Sequence, residues 1–167
     1  GEAARRKAAA LSERAEGLIK AGHAANKQND YKKARKAFQE AYALENKPAV
    51  LVSAANMALK DGDASTAKRE YEQALKEPGL SDAVTKSINV KLEEAKLLMK
   101  QQVRDAKQKQ EQRVTSLEKL HYLRLEDIAT LDTAAFREAI ATAEGCGVEP
   151  AEVEGARKTL KQAETVQ

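Results

Sequence analysis

Apolar residues recur every three or four positions along most of the chain, the spacing that places side chains on one face of an α-helix. Polar residues interrupt this pattern at Asn29-Asp30 and at Asp61-Gly62-Asp63. Glycine and asparagine suit tight turns, and an aspartate can cap the helix that follows it. The pattern therefore predicts two consecutive helical hairpins. Their helices are expected near residues 3–28, 31–45, 48–60 and 64–77.

The two predicted hairpins repeat one another with a period of 33 residues. The shift superposes Leu18 on Leu51, Gly22 on Ala55, Ala25 on Ala58, Asp30 on Asp63, Ala34 on Ala67, Phe38 on Tyr71 and Ala41 on Ala74. Internal periods of roughly 20–50 residues are typical of solenoids and other repeat arrays. Small residues such as Gly22 and Ala34 would let the paired helices touch backbone to backbone, and Phe38 would fill the wider end of the wedge between them.

A single long helix is predicted at about 82–122, because this stretch contains neither glycine nor proline and its apolar positions continue at helical spacing. Its first half is expected to cap the second repeat. Its second half carries basic side chains on its flanks: Lys100, Arg104, Lys107, Lys109 and Arg113. Two interpretations stay open for this half: a solvated spacer, or a coiled-coil arm that pairs with another chain, including a second copy.

The remaining residues predict a second kind of hairpin, with helices near 133–144 and 150–165 and no strand. Gly145-Cys146-Gly147 would end the first of these helices, and Pro150 suits the first position of the next. The apolar stretch 121–131 is expected to form a buried connector. The chain is thus divided into a repeat domain at 1–100, a helix extension at 101–124 and a C-terminal hairpin at 125–167.

The first repeat contains a small residue, an Asn-Asp turn, an aromatic residue and spaced alanines in a particular order. The residues are Gly22, Asp30, Tyr31, Ala34, Phe38, Ala41 and Leu44. This order resembles the tetratricopeptide repeat (TPR), a helical hairpin of about 34 residues. The resemblance covers 15–78, with a partial third repeat to about 100, although Ala64 stands where an aromatic residue is usual. The expected fold is an all-α, TPR-like solenoid of two to two-and-a-half repeats, followed by a long capping helix and a C-terminal helical hairpin.

In TPR proteins the inner helices line a concave groove that binds peptides or helices. The resemblance assigns this groove to Ile19, His23, Asn26, Lys27, Val52, Asn56 and Lys60. An apolar floor, a hydrogen-bonding midline and a cationic rim would suit an acidic or amphipathic protein segment. Relatives that clasp acidic chaperone tails carry a lysine and an asparagine where this chain has Ile19 and His23, so that clamp is not expected. Alternatively, the chain's own long helix or C-terminal hairpin fills the groove.

Composition supports helices packed in a shallow array. Alanine supplies 32 of the residues, while the chain has two phenylalanines and no tryptophan, too little bulk for the wide core of a sandwich or barrel. The net charge is only +3, but it is unevenly spread. Residues 1–124 contain 25 basic and 17 acidic side chains, whereas residues 125–167 contain four basic and nine acidic ones. This asymmetry indicates two surfaces with different partners.

Few residues offer catalytic or cofactor chemistry. The sequence has no glycine-rich phosphate loop and no metal motif, and His23 and His121 lie far apart along the chain. Cys146 is expected to fill a turn between two glycines. The basic stretch 32–36 lacks free aromatic residues that would stack on bases, so nucleic acid is not an expected partner. No apolar run reaches the length of a membrane span. We therefore expect no catalysis, no cofactor and no metal.

The expected function is a non-enzymatic adaptor or scaffold that binds a partner peptide or helix through the concave repeat face. The alternative is an accessory structural subunit of a large multi-protein complex, for instance in an organelle, whose long helix and hairpin bridge neighbouring subunits. A single cysteine favours a reducing, soluble intracellular compartment, either the cytoplasm or an organelle interior. Because the chain opens at Gly1 without methionine, we expect a processed or truncated product.

Overall fold

The computed structural model describes all 167 residues, and its regular secondary structure is entirely helical. The helices are α1 (Glu2–Lys27), α2 (Tyr31–Glu45), α3 (Pro48–Lys60), α4 (Ala64–Lys76), α5 (Asp82–Arg124), α6 (Thr133–Gly145) and α7 (Pro150–Val166). Consecutive helices pack as hairpins within α1–α4 and again between α6 and α7. Every predicted helix is present, and each end lies close to its predicted position. The all-α class is confirmed.

The turns inside the two N-terminal hairpins use the same cap. The Oδ1 atoms of Asp30 and Asp63 accept hydrogen bonds from the backbone N–H groups of Lys33 and Thr66, both at 3.1 Å. These bonds satisfy backbone donors that have no partner inside the helix. Gly62 precedes the second cap with a φ of 82°, in the left-handed region that favours glycine. The local sequence therefore sets where α2 and α4 begin.

The chain divides into two compact units, 1–101 and 102–167. In the first unit, one cluster of buried side chains joins α1, α2 and α3, and includes Phe38, Val50 and Met57. A second cluster joins α3 and α4 to the start of α5, where Ile88 and Leu92 are buried. The first part of α5 therefore covers the second hairpin, as the sequence predicts.

The 33-residue register places equivalent residues in equivalent surroundings. The pairs that are buried at both positions are Gly22 and Ala55, Ala25 and Ala58, Ala34 and Ala67, Phe38 and Tyr71, and Ala41 and Ala74. Gly22 has a different role from the predicted backbone contact. A Cβ atom built on it would lie 2.8 Å from the Phe38 ring, so the missing side chain makes room for an aromatic ring rather than for the facing backbone.

The second unit is a three-helix array. Leu120 and Leu123, at the end of α5, are buried together with Phe136 of α6 and Leu160 of α7. The sequence predicts 101–124 as an extension of the long helix and 125–167 as the hairpin, whereas the last turns of α5 share a buried cluster with α6 and α7. Two helices alone cannot enclose side chains as large as Phe136, and the end of α5 supplies the third wall. Ion pairs on the surface also join α6 to α7, between Arg137 and Glu164 and between Arg157 and Glu144.

The predicted buried connector at 121–131 is largely exposed. Leu123 and Leu131 are buried, but the side chains of Tyr122 and Leu125 are 68% and 86% exposed. For Tyr122 the reason is that α5 continues to Arg124, whereas Leu125 lies in the turn beyond the helix. Apolar residues that are adjacent in a helix point to different faces, so the core covers only some of them.

Candidate partner-binding site

The predicted groove residues lie on two helices of the first unit. Ile19, His23, Asn26 and Lys27 belong to α1, and Val52, Asn56 and Lys60 belong to α3. Ile19 and Val52 are half-buried against the core clusters, whereas the side chains of His23, Lys27 and Lys60 are exposed. On each helix the apolar position therefore lies deepest, and the cationic positions remain accessible.

Lys60 ties α3 to the first hairpin. Its Nζ atom donates a hydrogen bond to Asn26 Oδ1 at 3.1 Å and lies 5.7 Å from the centre of the Tyr31 ring. A lysine ammonium at this distance from an aromatic ring is attracted by a cation–π interaction. These contacts hold the lysine in place and occupy the amide oxygen of Asn26. The same hydrogen bond orients the Asn26 carboxamide, whose amide nitrogen can donate to a partner.

Asn56 is held by a buried tyrosine. The Tyr71 hydroxyl donates to Asn56 Oδ1 at 2.6 Å, and Tyr71 is fully buried. Burial raises the pKa of Tyr71 far above its usual value, and the negative charges of Glu94 and Glu70 raise that pKa further. The hydroxyl therefore keeps its proton and remains a donor. As with Asn26, this bond orients the Asn56 carboxamide, and the amide nitrogen can donate to a partner.

His23 occupies the same register position as Asn56 but is held differently. Its ring meets the edge of the buried Phe38 ring, with the centroids 5.1 Å apart and the planes at 73°. This is the edge-to-face arrangement that aromatic pairs prefer. The imidazole therefore packs on an aromatic side chain of the core while its outer part stays exposed.

A polar network on the other two helices of this unit was missed by sequence reasoning. Glu70 Oε1, on α4, accepts hydrogen bonds from Gln39 Nε2 at 2.8 Å and from the Arg35 guanidinium at 3.2 Å, both on α2. Nearby, the Tyr42 hydroxyl donates to Glu77 Oε1 at 3.0 Å. These pairs do not follow the 33-residue register, so the repeat pattern offers no signal for them. They join α2 to α4, and we assign them a structural role.

The other histidine and the cysteine lie in the second unit. His121 Nε2 lies 2.9 Å from Glu152 Oε2, and Arg124 approaches the same carboxylate at 3.8 Å. Cys146 is a free, half-buried thiol that ends α6. No group of three or more histidine, cysteine, aspartate or glutamate residues is placed to hold a metal ion. None of the helices combines the length and the apolar character needed to cross a bilayer.

Comparison with known proteins does not add a family to this description. No protein-family model matches the chain, and no curated protein matches it either. The class that the fold defines is an all-α array of helical hairpins.

Proposed function

We propose that the chain is a non-enzymatic protein–protein interaction module, an adaptor or scaffold, that binds a partner peptide or helix through the face formed by α1 and α3. The observation that carries this proposal is the hydrogen bonding of two side-chain amides, those of Asn26 and Asn56. Their oxygens each accept a hydrogen bond, from Lys60 and Tyr71, and these bonds orient both carboxamides so that their amide nitrogens can donate to a ligand. Lys27, one i,i+4 step from His23 on α1, adds an exposed ammonium group.

A surface of donors and cations complements a ligand rich in acceptors. The backbone carbonyls of a peptide supply acceptors, and aspartate or glutamate side chains add charged ones, which form the stronger hydrogen bonds. Ile19 and Val52 provide half-buried apolar positions between the polar groups. We therefore infer an acidic or amphipathic protein segment as the ligand. The resemblance of residues 15–78 to tetratricopeptide repeats supports the same face.

The non-enzymatic part of the proposal is supported by the contacts that the histidines make. His23 packs on Phe38, and His121 pairs with Glu152. These contacts give each imidazole a structural role, since His23 covers the Phe38 ring and His121 joins α5 to Glu152 of α7.

Selection of displayed random peptides on the full chain tests the proposed ligand class. We expect the selected peptides to be enriched in aspartate and glutamate interspersed with apolar residues. The variants Lys27→Glu and Asn56→Ala should bind them more weakly, while Lys32→Glu, an equal charge change at an exposed position on α2, should not. Selection of basic peptides, or equal binding by Lys27→Glu, would contradict the proposal.

A second candidate function is that of an accessory structural subunit in a large complex, with α5 and the C-terminal hairpin bridging neighbouring subunits. It is favoured by a specific observation: every residue from 101 to 115 in α5 is exposed. The two functions differ in which substitutions matter. If incorporation into a native assembly is abolished by changes in 101–115 and unaffected by Lys27→Glu, the subunit function is the correct one.

A further inference from the structure

The middle of α5 carries an apolar stripe that no other part of the chain covers. Val103, Ala106, Gln110 and Val114 follow one another at steps of three or four residues, so they lie on one side of the helix. All four are exposed, and the side chains of Val103 and Val114 are 69% and 44% exposed. By contrast, apolar residues near both ends of α5 are covered by the core, since Ile88 and Leu120 are both buried.

The residues beside this stripe have one charge sign. If Val103 and Gln110 take heptad position a, Ala106 and Arg113 take position d. The flanking e and g positions from 100 to 114 then hold Lys100, Gln102, Lys107, Lys109 and Val114. None of these flanking residues is acidic. Asp105 and Glu111 fall at positions c and b, away from the stripe. Lys107 approaches Glu111 at 3.9 Å, with both side chains well exposed, so this pair neutralises the flank weakly.

The charge pattern decides between possible occupants of the stripe. Flanking residues of two paired helices face each other, in parallel as well as in antiparallel arrangements. In a pair of identical copies the lysines of one helix would face lysines of the other, and like charges at such positions are destabilising. A partner helix with glutamates at its flanks would instead form ion pairs along both sides.

We propose that the exposed face of α5 from Val103 to Val114 binds an acidic amphipathic helix of another protein as a short coiled coil. The seam, meaning the row of a and d positions, is weak, because Ala106 fills little space, Gln110 is polar and Arg113 is charged. Binding therefore depends strongly on the flanking charges, and it weakens as salt screens them. This site is distinct from the groove residues of α1 and α3, and neither proposal rests on the other.

A pair of designed peptides tests the proposal on the full chain. Both are amphipathic helices with leucine at the a and d positions. One carries glutamate at the e and g positions, and the other carries lysine there. Fluorescence anisotropy should show binding of the glutamate peptide, at least about tenfold tighter than the lysine peptide, with the difference shrinking at high salt. Equal affinity for both peptides, or no binding of the glutamate peptide, would overturn the proposal.

Charge reversal on the chain sharpens the test. Lys107→Glu combined with Lys109→Glu should reverse the preference in favour of the lysine peptide, and Val103→Ser should weaken binding of the glutamate peptide. Lys158→Glu with Lys161→Glu is the matched control, because it makes the same charge change on exposed positions of α7. Circular dichroism checks that each variant is folded. An unchanged preference in the Lys107 and Lys109 variant refutes the proposal.

The oligomeric state provides a further check. Light scattering should show a mass that does not change when Val103 is replaced by serine. If the chain forms a dimer that Val103→Ser dissociates, a second copy occupies the stripe and the proposal is wrong. Because the proposed groove also favours acidic amphipathic segments, Lys27→Glu alone does not separate the two sites. The decisive comparison is made in a Lys27→Glu background, where adding Lys107→Glu with Lys109→Glu should still reverse the peptide preference, so failure of the groove and failure of this site can be told apart.

Discussion

The two hairpins of the first unit share one geometry and differ in the chemistry at one pair of positions. In the first hairpin, the buried ring of Phe38 supports the exposed imidazole of His23 by an edge-to-face contact. In the second hairpin, the equivalent ring is that of Tyr71, and its hydroxyl donates to Asn56 at 2.6 Å. An aromatic side chain of the core thus positions a polar groove residue in both hairpins.

The repeat therefore preserves the backbone arrangement, while the side chains at the proposed site differ between the two hairpins. The two hairpins also differ in the small residue beside this ring. A Cβ atom at position 22 would lie 2.8 Å from the Phe38 ring, whereas Tyr71 is buried in the same cluster as an alanine at position 55. The core packing and the contacts of the proposed site can be tested one position at a time.

Phe38→Ala should have the largest effect of the substitutions considered. Truncating a fully buried phenylalanine costs roughly 3–5 kcal/mol, and this unit has few other large apolar side chains to compensate. Urea unfolding followed by circular dichroism measures the loss. Val90→Ala, at a side chain that is 70% exposed, is the control and should change stability by less than about 0.5 kcal/mol. Equal unfolding midpoints for the two variants would show that the ring is not part of the core.

Gly22→Ala should have the next largest effect, a destabilisation of about 1–3 kcal/mol from overpacking. The added Cβ would lie 2.8 Å from the Phe38 ring, so the ring must move. Gly17→Ala is the matched control on the same helix, because nothing lies within 4 Å of its added Cβ. That variant should gain up to about 1 kcal/mol from helix propensity. A gain in both variants would mean that the Phe38 ring leaves room at position 22.

Tyr71→Phe should cost about 1 kcal/mol, since it removes one hydrogen bond and leaves the ring in place. It also makes the second hairpin resemble the first, with a phenylalanine ring beside the groove residue. Thermal unfolding measures the loss. The same substitution in an Asn56→Ala background should cost less, because the acceptor is already absent; an undiminished cost would show that the hydroxyl stabilises the fold through another group.

The pH dependence of stability should also separate Tyr71→Phe from the parent chain. The pKa of Tyr71 is raised in the folded state, so its contribution is complete below the ordinary tyrosine pKa of 10.0 and declines as the pH rises above it. The parent chain should therefore lose stability more steeply than Tyr71→Phe above that pH. Parallel urea midpoints over this range would contradict a raised pKa.

Lys60→Ala and Lys27→Ala should show the smallest effects, and the difference between them is informative. Lys60 contacts Asn26 and Tyr31, so its loss should cost up to about 1 kcal/mol. Lys27 is exposed, and its replacement should change stability by less than about 0.5 kcal/mol. Thermal unfolding of both variants checks this order. A larger cost for Lys27→Ala would reverse the roles that the structure gives the two lysines.

The positions of most residues in the proposed site could be predicted from sequence, but the contacts of their side chains could not. The repeat register placed Ile19, His23 and Asn56 on the inner helices, because helical periodicity and the 33-residue shift are both visible in the chain. The sequence predicts Lys60 as one of the lysines at the cationic rim of the proposed groove. Its contact with Asn26 depends on how far apart α1 and α3 lie, which no periodicity encodes.

The sequence by itself determined the helices, their caps and the pairing of the two hairpins. These depend on interactions over a few residues, such as the bond from Lys33 N–H to Asp30, and on a repeated pattern of small and aromatic residues. Only the tertiary structure decided which faces meet. The Arg35–Glu70 pair and the packing of Leu120 with Phe136 join residues far apart in the chain, and such contacts exist only once the helices have been brought together.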